Sequence, residues 1–216
     1  MKFTQLMIVD DHPLVRSGLR QLIETETDLR ICAEADSIGE ALSLLKTHQP
    51  ALAIIDLSLP DGNGLELIKR MSIRYPEIRI LVSSMHDEDL FAERALQAGA
   101  NGYINKQEAS EQVIQAVRQV LNGDIYLSDK MSARRTLEDS NGYDQQTTYA
   151  PEDQLSNREI EVFELIGHGM TTSEIAAKLH LSVKTIESHR ANIKTKLGLS
   201  TSGELMRSAV QWTLDS

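Results

Sequence analysis

Short apolar segments alternate with stretches of helical periodicity through the first half of the chain. The apolar segments, rich in Val, Ile and Leu, predict β-strands, and the residues between them show the three- and four-residue spacing of amphipathic helices. Because neighbouring parallel strands need a crossover connection, this alternation predicts a doubly wound α/β domain with helices on both faces of the sheet. The predicted strands are 6–9, 29–35, 51–55, 80–83 and 102–104. The predicted helices are 13–24, 37–48, 64–75, 87–98 and 110–122.

The pattern changes after Gly123. Residues 140–151 are polar, rich in turn-forming residues and without a period, which is typical of a linker, and a short helix around Arg134 and Arg135 is predicted before them. From Ser156 onward the periodicity is helical. We therefore predict one α/β domain (1–124), a linker (125–154) and a small all-α domain (155–216).

Helix start and stop signals divide the last 60 or so residues into four helices. A Ser or Thr followed three residues later by Glu predicts a capping box, in which each side chain bonds the other residue's backbone N–H. Gly169 and Gly198 are predicted helix stops. The capping boxes are Ser156 with Glu159, Thr171 with Glu174, and Thr201 with Glu204. The helices are predicted near 157–167, 173–179, 183–197 and 202–213.

Length and composition agree with two modest globular domains: the chain has 216 residues, of which 41% are apolar and 25% charged. No apolar run approaches the roughly 18 residues that a membrane span needs, and no signal peptide is recognisable. The single cysteine, Cys32, excludes an internal disulfide and a cysteine-based zinc site. We therefore expect a cytoplasmic protein with no membrane partner.

The net charge of −10 is unevenly distributed along the chain. Residues 1–124 carry 12 basic and 19 acidic side chains, whereas residues 156–216 carry 7 of each. Within the neutral segment, the predicted helix 183–197 carries four basic side chains and one acidic side chain, a local charge of +3. An acidic protein can thus present one basic helix to nucleic acid phosphates.

Aspartates follow two predicted strands. Asp10 and Asp11 end the first strand and Asp56 ends the third, and doubly wound sheets place their ligands at these carboxyl ends. In the flavodoxin-like strand order 2-1-3-4-5 the two strands are neighbours, so the carboxylates should lie within roughly 5 Å of one another. Each like-charged pair then costs about 3 kcal/mol at an effective dielectric constant of about 20. A cation must offset this cost, and the candidates are Mg²⁺ and Lys106, which follows the fifth strand.

Ser84, at the end of the fourth strand, adds a hydroxyl to this group. Carboxylates, Mg²⁺, a lysine and a hydroxyl suit a phosphoryl group on Asp56, because the cations neutralise it and the hydroxyl donates to it. No glycine-rich phosphate loop is present, so we expect an external phosphoryl donor. The plain alternative, that each aspartate is an ordinary solvated loop residue, would require four such residues in register by coincidence.

These residues carry a resemblance to a known family. The segments at 10–13, 56–64, 83–85 and 102–106 resemble those of the receiver domain of two-component response regulators, over about residues 4–123. This chain departs from the family pattern at two positions. Gln107 stands where many receiver domains have proline. Met85 is bulkier than the residue usual in the family, which predicts narrower access to Asp56.

The resemblance implies a role for each residue of the site. Asp56 would accept a phosphoryl group from a sensor histidine kinase, and Lys106 would contact that group. Ser84 and Tyr103 would be the switch pair. The Mg²⁺ ligands would be Asp10, Asp11, Asp56 and the backbone carbonyl of Ser58.

The helical domain has the dimensions of a helix-turn-helix, with helix 173–179, a three-residue turn and helix 183–197. Val183, Ile186, Ile193 and Leu197 form the inward stripe of the last helix, so the opposite face is available to DNA. Small residues there, Ser188 and Ala191, would let the backbone approach base edges. The predicted DNA-binding residues are Lys184, Thr185, Glu187, Ser188, His189, Arg190, Ala191, Lys194 and Lys196.

A plain solvated helix face is the alternative, and two residues leave it open in particular. Glu187 suits either a cytosine N4 contact or the helix surface, and His189 suits either packing or a phosphate contact. Three other histidines, His12, His86 and His180, are interpreted as surface or loop residues.

Segments at 155–159, 169–176, 181–190 and 196–198 resemble the LuxR-type domain of the NarL/FixJ family, over about residues 150–214. The two resemblances together imply a transcription regulator in which phosphorylation controls DNA binding. The protein would not be an enzyme in the usual sense. A hydrolase with an aspartyl nucleophile usually has an Asp two residues later, where this chain has Ser58. An interaction protein that is never phosphorylated would not need the Asp10, Asp11, Asp56 and Lys106 set.

The last predicted helix carries a wide apolar stripe, which predicts a homodimer on activation and an inverted-repeat DNA site. The alternative is that Trp212 only covers the end of the domain. The acidic receiver, with its net −7, would compete with DNA for the basic helix before activation. The predicted dimer residues are Leu205, Met206, Ala209 and Val210.

Overall fold

The computed structural model describes residues 3–86, 88–108, 110–129, 131–133 and 155–215. The chain divides into two units, Met1–Asn141 and Gly142–Ser216. The predicted helix around Arg134 and Arg135 and the polar stretch 140–151 lie outside the described residues.

The first unit is built on a sheet of five parallel strands in the order β2-β1-β3-β6-β7. The strands are β1 Thr4–Val9, β2 Leu29–Ala35, β3 Leu52–Ile55, β4 Ser58–Leu59, β5 Gly62–Asn63, β6 Arg79–Ser84 and β7 Gly102–Asn105. Since β4 and β5 form a separate antiparallel pair, β6 and β7 are the fourth and fifth strands of the main sheet. The predicted flavodoxin-like order is therefore confirmed.

Five helices cover the sheet: α1 Pro13–Glu24, α2 Ile38–Leu44, α3 Gly64–Arg74, α4 Glu88–Ala98 and α5 Ser110–Leu121. Helix α2 is shorter than the predicted 37–48, because turns with three-residue hydrogen bonds follow it: the Lys46 N–H donates to the Ser43 carbonyl and the Thr47 N–H to the Leu44 carbonyl. The β4–β5 pair was not predicted, since two-residue strands are too short to show a period. The described residues contain no cis peptide bond.

The core of this unit follows the periodicities of the sequence. Alternate residues of β1 and β3, such as Leu6 and Ile54, are buried against the apolar faces of α1 and α5. Ile23 and Val117 are the corresponding fully buried residues of these helices. Because helices cover the sheet, the β3 segment Leu52–Ile55 is buried at every position and reads as a continuous apolar run.

The segment after α5 returns to the edge of β7. The Tyr103 N–H donates to the Tyr126 carbonyl (2.9 Å), and the Tyr126 N–H donates to the Asn101 carbonyl (3.1 Å). The Ser128 N–H donates to Glu88 at the start of α4 (2.8 Å). The first residues of the predicted linker therefore pack on the α/β unit.

The second unit contains four helices, α6 Asn157–Gly167, α7 Thr172–Lys178, α8 Val183–Lys196 and α9 Ser202–Asp215, close to the predicted bounds. Its capping boxes form as predicted at Ser156 with Glu159 and at Thr171 with Glu174. Backbone and side-chain bonds also link Thr201 with Glu204 reciprocally.

The turn between α7 and α8 follows a Schellman pattern. The His180 N–H donates to the Ala177 carbonyl and the Leu181 N–H to the Ala176 carbonyl. His180 has a φ of 53°, a left-handed value at which such a turn more often has glycine. The turn therefore gives α7 and α8 the connection of a helix-turn-helix.

The second unit has its own small apolar core. Phe163 of α6 is fully buried and lies 5.3 Å, between ring centroids, from Trp212 of α9. No helix within the described residues is long and apolar enough to cross a membrane. The other fully buried apolar residues of this core are Val162, Ile166, Ile175, Ile186, Ile193, Leu205 and Ala209.

Candidate functional site

The carboxylates at the ends of β1 and β3 converge, as predicted. The Asp56 N–H donates to the Val9 carbonyl (2.8 Å), which holds the two strand ends side by side. The side chains of Asp10 and Asp56 are only 2% and 3% exposed. Ligand atoms of Asp10, Asp11, His12 and Asp56 all lie within 4.8 Å of one another.

Lys106 joins the two buried carboxylates. Its Nζ lies 2.6 Å from Asp10 Oδ2 and 2.6 Å from Asp56 Oδ2. Its backbone N–H donates to the Ser84 carbonyl (2.9 Å), so the loop after β7 is attached to the end of β6. Burial lowers the pKa of the Lys106 ammonium, but the two carboxylates outweigh burial and raise the pKa above its usual value.

Asp56 remains short of positive charge in this arrangement. Burial raises the pKa of its carboxyl group more than Lys106 lowers it, and Asp10 adds a further increase. Two buried carboxylates thus share one lysine, with a third carboxylate, Asp11, beside them, and oxygen donors with excess negative charge are the ligands that hard divalent cations such as Mg²⁺ prefer. The residues present therefore fit a divalent cation.

Ser58 is the first residue of β4, and Gly64 directly follows β5 and starts α3. The Ser58 N–H donates to Asp56 Oδ1 over 3.3 Å. A Cβ atom at Gly64 would lie 2.2 Å from the Asp56 carbonyl oxygen, so only glycine lets α3 start this close to β3.

The exposure of His12 agrees with its interpretation as a surface or loop residue, but its contacts with Asp10 and Asp11 were not predicted. The backbone N–H of His12 donates to Asp10 Oδ1 (2.8 Å), and its ring Nδ1 lies 2.6 Å from Asp11 Oδ1. The side chain is 62% exposed, so it forms the solvent side of the carboxylate cluster. The available signal was its position directly after Asp10 and Asp11 and before Pro13, which starts α1.

Ser84 and Tyr103, the predicted switch pair, both bond the backbone of His86. The His86 N–H donates to Ser84 Oγ (3.2 Å), and the Tyr103 hydroxyl donates to the His86 carbonyl (2.9 Å). Both Ser84 and Tyr103 are fully buried. The loop after β6 therefore connects the carboxylate site to the edge strand β7.

The His86 ring makes a second connection that sequence reasoning did not predict. Its Nε2 lies 3.0 Å from Ser58 Oγ, and the ring stacks on Phe91 with centroids 4.6 Å apart. The loops that follow β3 and β6 are thereby joined beside Asp56. Met85, the bulky neighbour, is exposed.

The predicted DNA-binding residues lie on α8 and differ in exposure. Ser188 Oγ donates to the Lys184 carbonyl (3.0 Å), which keeps this hydroxyl close to its own helix. The exposed residues are Lys184, Glu187, Ser188, Ala191 and Lys196. The partly exposed ones are Thr185, His189, Arg190 and Lys194.

The structure corrects part of the stripe predicted on the last helix. Leu205 and Ala209 are fully buried within the helical unit, so they belong to its core and not to an exposed stripe. Met206 is partly exposed and Val210 is 37% exposed. Trp212 packs on Phe163, in the covering position that the alternative interpretation expected.

Two family models match the chain. The model of the response regulator receiver domain matches residues 6–118. The model of bacterial regulatory proteins of the luxR family matches residues 153–209. The matched regions correspond to the α/β unit and the helical unit, respectively.

Similar proteins cover both regions. The oxygen regulatory protein NreC of Staphylococcus carnosus is 37% identical over 210 residues, which is 96% of this chain and 97% of NreC. RcsB from Salmonella enterica serovar Typhimurium, bound to promoter rprA in the presence of the phosphomimetic BeF3−, is 28% identical with a TM-score of 0.61, over 95% of this chain and 98% of RcsB. A two-component response regulator of the LuxR family from Aurantimonas is 34% identical with a TM-score of 0.59, over 64% of this chain and 99% of that one.

Proposed function

The chain belongs to the response regulators that join a receiver domain to a LuxR-type DNA-binding domain, and we propose that phosphorylation of Asp56 by a sensor histidine kinase controls its sequence-specific DNA binding and transcription. The observation that carries this proposal is the convergence of buried Asp10 and Asp56 on one Lys106 Nζ, 2.6 Å from each. No other described group of three or more His, Cys, Asp or Glu residues has the spacing of a metal site.

In the proposed reaction an Asp56 carboxylate oxygen attacks the phosphorus of a phosphohistidine in the kinase. The P–O bond to Asp56 forms as the P–N bond breaks, and the departing imidazole nitrogen takes up a proton from solvent. Lys106 already contacts the carboxylate, so its ammonium is placed to bond a phosphoryl oxygen as charge moves onto the site. Asp10, Asp11, Asp56 and the Ser58 carbonyl would hold Mg²⁺, which supplies neutralising positive charge to the phosphoryl oxygens.

Ser58 favours storage of the phosphoryl group over rapid hydrolysis. An aspartyl-nucleophile hydrolase usually has a carboxylate at this position to activate water, and a serine hydroxyl is a much weaker general base. The Ser58 hydroxyl is also engaged with His86. These features favour a regulator whose phosphorylated form persists.

The switch uses the loop after β6. Once a phosphoryl group is present, the Ser84 side chain would rotate to donate its hydroxyl proton to it, and the rotation would move Oγ away from the His86 N–H, from which it now accepts a hydrogen bond. The Tyr103 hydroxyl, bonded to the His86 carbonyl, follows the loop. Because the Tyr103 backbone also bonds Tyr126, the change reaches the segment that leads toward the helical unit.

For the helical unit we propose that α8 enters the major groove. Lys184, Arg190 and Lys194 would contact phosphates, while Ser188 and Ala191 allow close approach to base edges. The similar RcsB structure bound to a promoter supports this assignment. Since the DNA partner is chromosomal, we propose that the protein acts in the cytoplasm.

Activation would form a homodimer that binds an inverted repeat. A similar structure describes two RcsB dimers bound to two parallel DNAs, which supports a two-fold arrangement. Met206 and Val210 are the accessible residues of the predicted stripe. The excess acid of residues 1–124 would compete with DNA for the basic helix until phosphorylation relieves it.

Labelling with a small phosphodonor and Mg²⁺ tests the phosphorylation site. We expect Asp56→Asn to abolish label incorporation while the fold is retained, because Asp56 is the proposed acceptor, whereas Asp10, the other carboxylate beside Lys106, would serve as a Mg²⁺ ligand. Asp36→Asn, at the exposed carboxyl end of β2, is the matched control and should keep full labelling. Label that persists in Asp56→Asn, or that forms without Mg²⁺, would refute the assignment.

A further inference from the structure

The side of α8 that faces the domain carries charge as well as apolar residues. Lys196, in its last turn, has its Nζ 2.6 Å from Oε2 of Glu159 in the first turn of α6. That side chain of Glu159 is only 5% exposed, and the same oxygen accepts the Ser156 N–H of the capping box (2.7 Å). One carboxylate therefore joins the start of α6 to the end of α8.

Arg158, the residue before Glu159 in α6, contacts α7, the first helix of the helix-turn-helix. Arg158 Nη2 donates to the carbonyl of Leu179, the C-cap of α7 (2.9 Å), while Nη1 lies 2.5 Å from Glu161 Oε2. Glu161 is fully buried. Two successive residues of α6, Arg158 and Glu159, thus tie down the ends of both helices of the helix-turn-helix.

His189 of α8 lies close enough to Glu159 and Arg158 to feel the charge of both. Its Nδ1 is buried, and no hydrogen bond to it is found among the described residues. Burial lowers the pKa of His189, and Arg158 lowers it further against the opposing effect of Glu159. A ring with one buried nitrogen and a lowered pKa is less suited to a phosphate contact than an exposed, protonated histidine.

We propose that Lys196 is a positioning residue: its pair with Glu159, beside the inward His189, fixes the angle of α8 on α6, and it does not bind DNA phosphate. This inference rests on the proposed DNA-binding function. It leaves Lys184, Arg190 and Lys194 to carry the phosphate contacts of α8.

Electrostatics explains why Lys196 does not serve both partners. If Lys196 turned to a phosphate, the nearly buried Glu159 carboxylate would lose its cationic partner. The move would also bring a phosphate toward Glu159, and the two like charges repel each other. The 2.6 Å pair is the arrangement that avoids both costs.

The dependence of DNA affinity on salt separates the two roles, because removing one phosphate-binding side chain lowers the slope of log affinity against log salt by about 1. We would compare full-length Lys194→Ala and Lys196→Ala on a duplex selected by the wild-type chain. In Lys194→Ala the slope should fall by about 1. Lys196→Ala should weaken binding by about three- to tenfold with an unchanged slope, and Lys196→Arg, which keeps the ion pair, should restore the affinity.

Glu159→Gln provides a second test, in which the two roles of Lys196 predict opposite changes in DNA affinity. Glutamine keeps the capping interaction with Ser156 but removes the charge that holds Lys196. A positioning role predicts weaker binding with an unchanged slope, whereas a phosphate contact restrained by Glu159 predicts a steeper slope and tighter binding. The fluorescence of Trp212, the single tryptophan, reports whether the helical unit of each variant is folded.

The outcomes distinguish the inference from the function on which it rests. If the wild-type chain binds no duplex at any salt concentration, the DNA-binding function fails and the inference fails with it. If the wild type binds and the slope of Lys196→Ala falls by about 1, as that of Lys194→Ala does, only the inference is overturned.

Discussion

The acidic site of the receiver and the basic face of α8 are both clusters of charge, but they are built in opposite ways. In the receiver, the side chains of Asp10 and Asp56 are buried, and each lies 2.6 Å from Lys106 Nζ. On α8, Lys184 and Glu187 are exposed. The side chains of the buried cluster bind one another. The exposed face of α8 consists of the side chains that do not pack on the domain core.

The comparison predicts that a buried lysine and an exposed lysine of the receiver unit differ sharply in their effect on stability. Lys106→Ala leaves Asp10 and Asp56 buried without a cation, so we expect the free energy of unfolding of the unit to fall by about 3 kcal/mol without Mg²⁺. Lys46, which is exposed after α2, is the matched control. Lys46→Ala should change the free energy of unfolding by less than about 0.5 kcal/mol. Hydrogen exchange of the β3 amides measures both.

Added Mg²⁺ should recover part of the stability that Lys106→Ala removes, since a divalent cation supplies the missing positive charge. Equal stability of the two lysine variants would mean that the buried cluster is not held by its charges, and the contrast between the two regions would fail.

The exposed region is tested next through assembly. Met206→Asp and Val210→Asp place a carboxylate on the accessible part of the α9 stripe, so we expect dimerisation of the phosphorylated protein to weaken by at least about tenfold. Footprints should shrink from a repeated site to a single one. Gln211→Asp, on another face of the same helix, carries the same charge and should leave sedimentation unchanged. Phosphorylated wild type that stays monomeric on an unrepeated site would end the dimer proposal.

The smallest expected effect is a pH dependence within the helical unit. Because burial holds the pKa of His189 below its usual value of 6.5, the unfolded chain binds the proton more readily than the folded one. Stability is therefore complete above about pH 6.5 and is lost as the pH falls toward the lower folded pKa. Urea midpoints followed by Trp212 fluorescence should drop between about pH 7 and about pH 5 in wild type. The urea midpoint of His189→Asn should drop less over the same pH range. Equal drops in wild type and His189→Asn would contradict the inward placement of the ring.

Strand register made the acidic site predictable. Once β1 and β3 are neighbours, residues directly after them must meet at one edge of the sheet, and Asp10 and Asp56 do so. Local bonding rules likewise predicted the helix starts at Ser156 and Thr171, since a capping box needs only four residues.

Contacts between segments distant in sequence were not predictable in the same way. The bond between Ser58 and His86 spans 28 residues, and the one between Glu159 and Lys196 spans 37. Neither pair has a period or motif that signals its partner. Leu205 and Ala209 show the same difficulty, because a helical stripe indicates burial without saying whether the domain's own core or a second copy provides it.

We propose that one aspartate in the buried cluster, Asp56, controls DNA binding by the exposed helix. The most direct test is a binding isotherm of the full chain on its selected duplex, with and without a small phosphodonor and Mg²⁺, for wild type and Asp56→Asn. We expect the donor to raise the affinity of wild type by at least about tenfold and to leave that of Asp56→Asn unchanged. An equal increase in Asp56→Asn, or no increase in a wild-type chain that has taken up phosphate, would contradict the proposal.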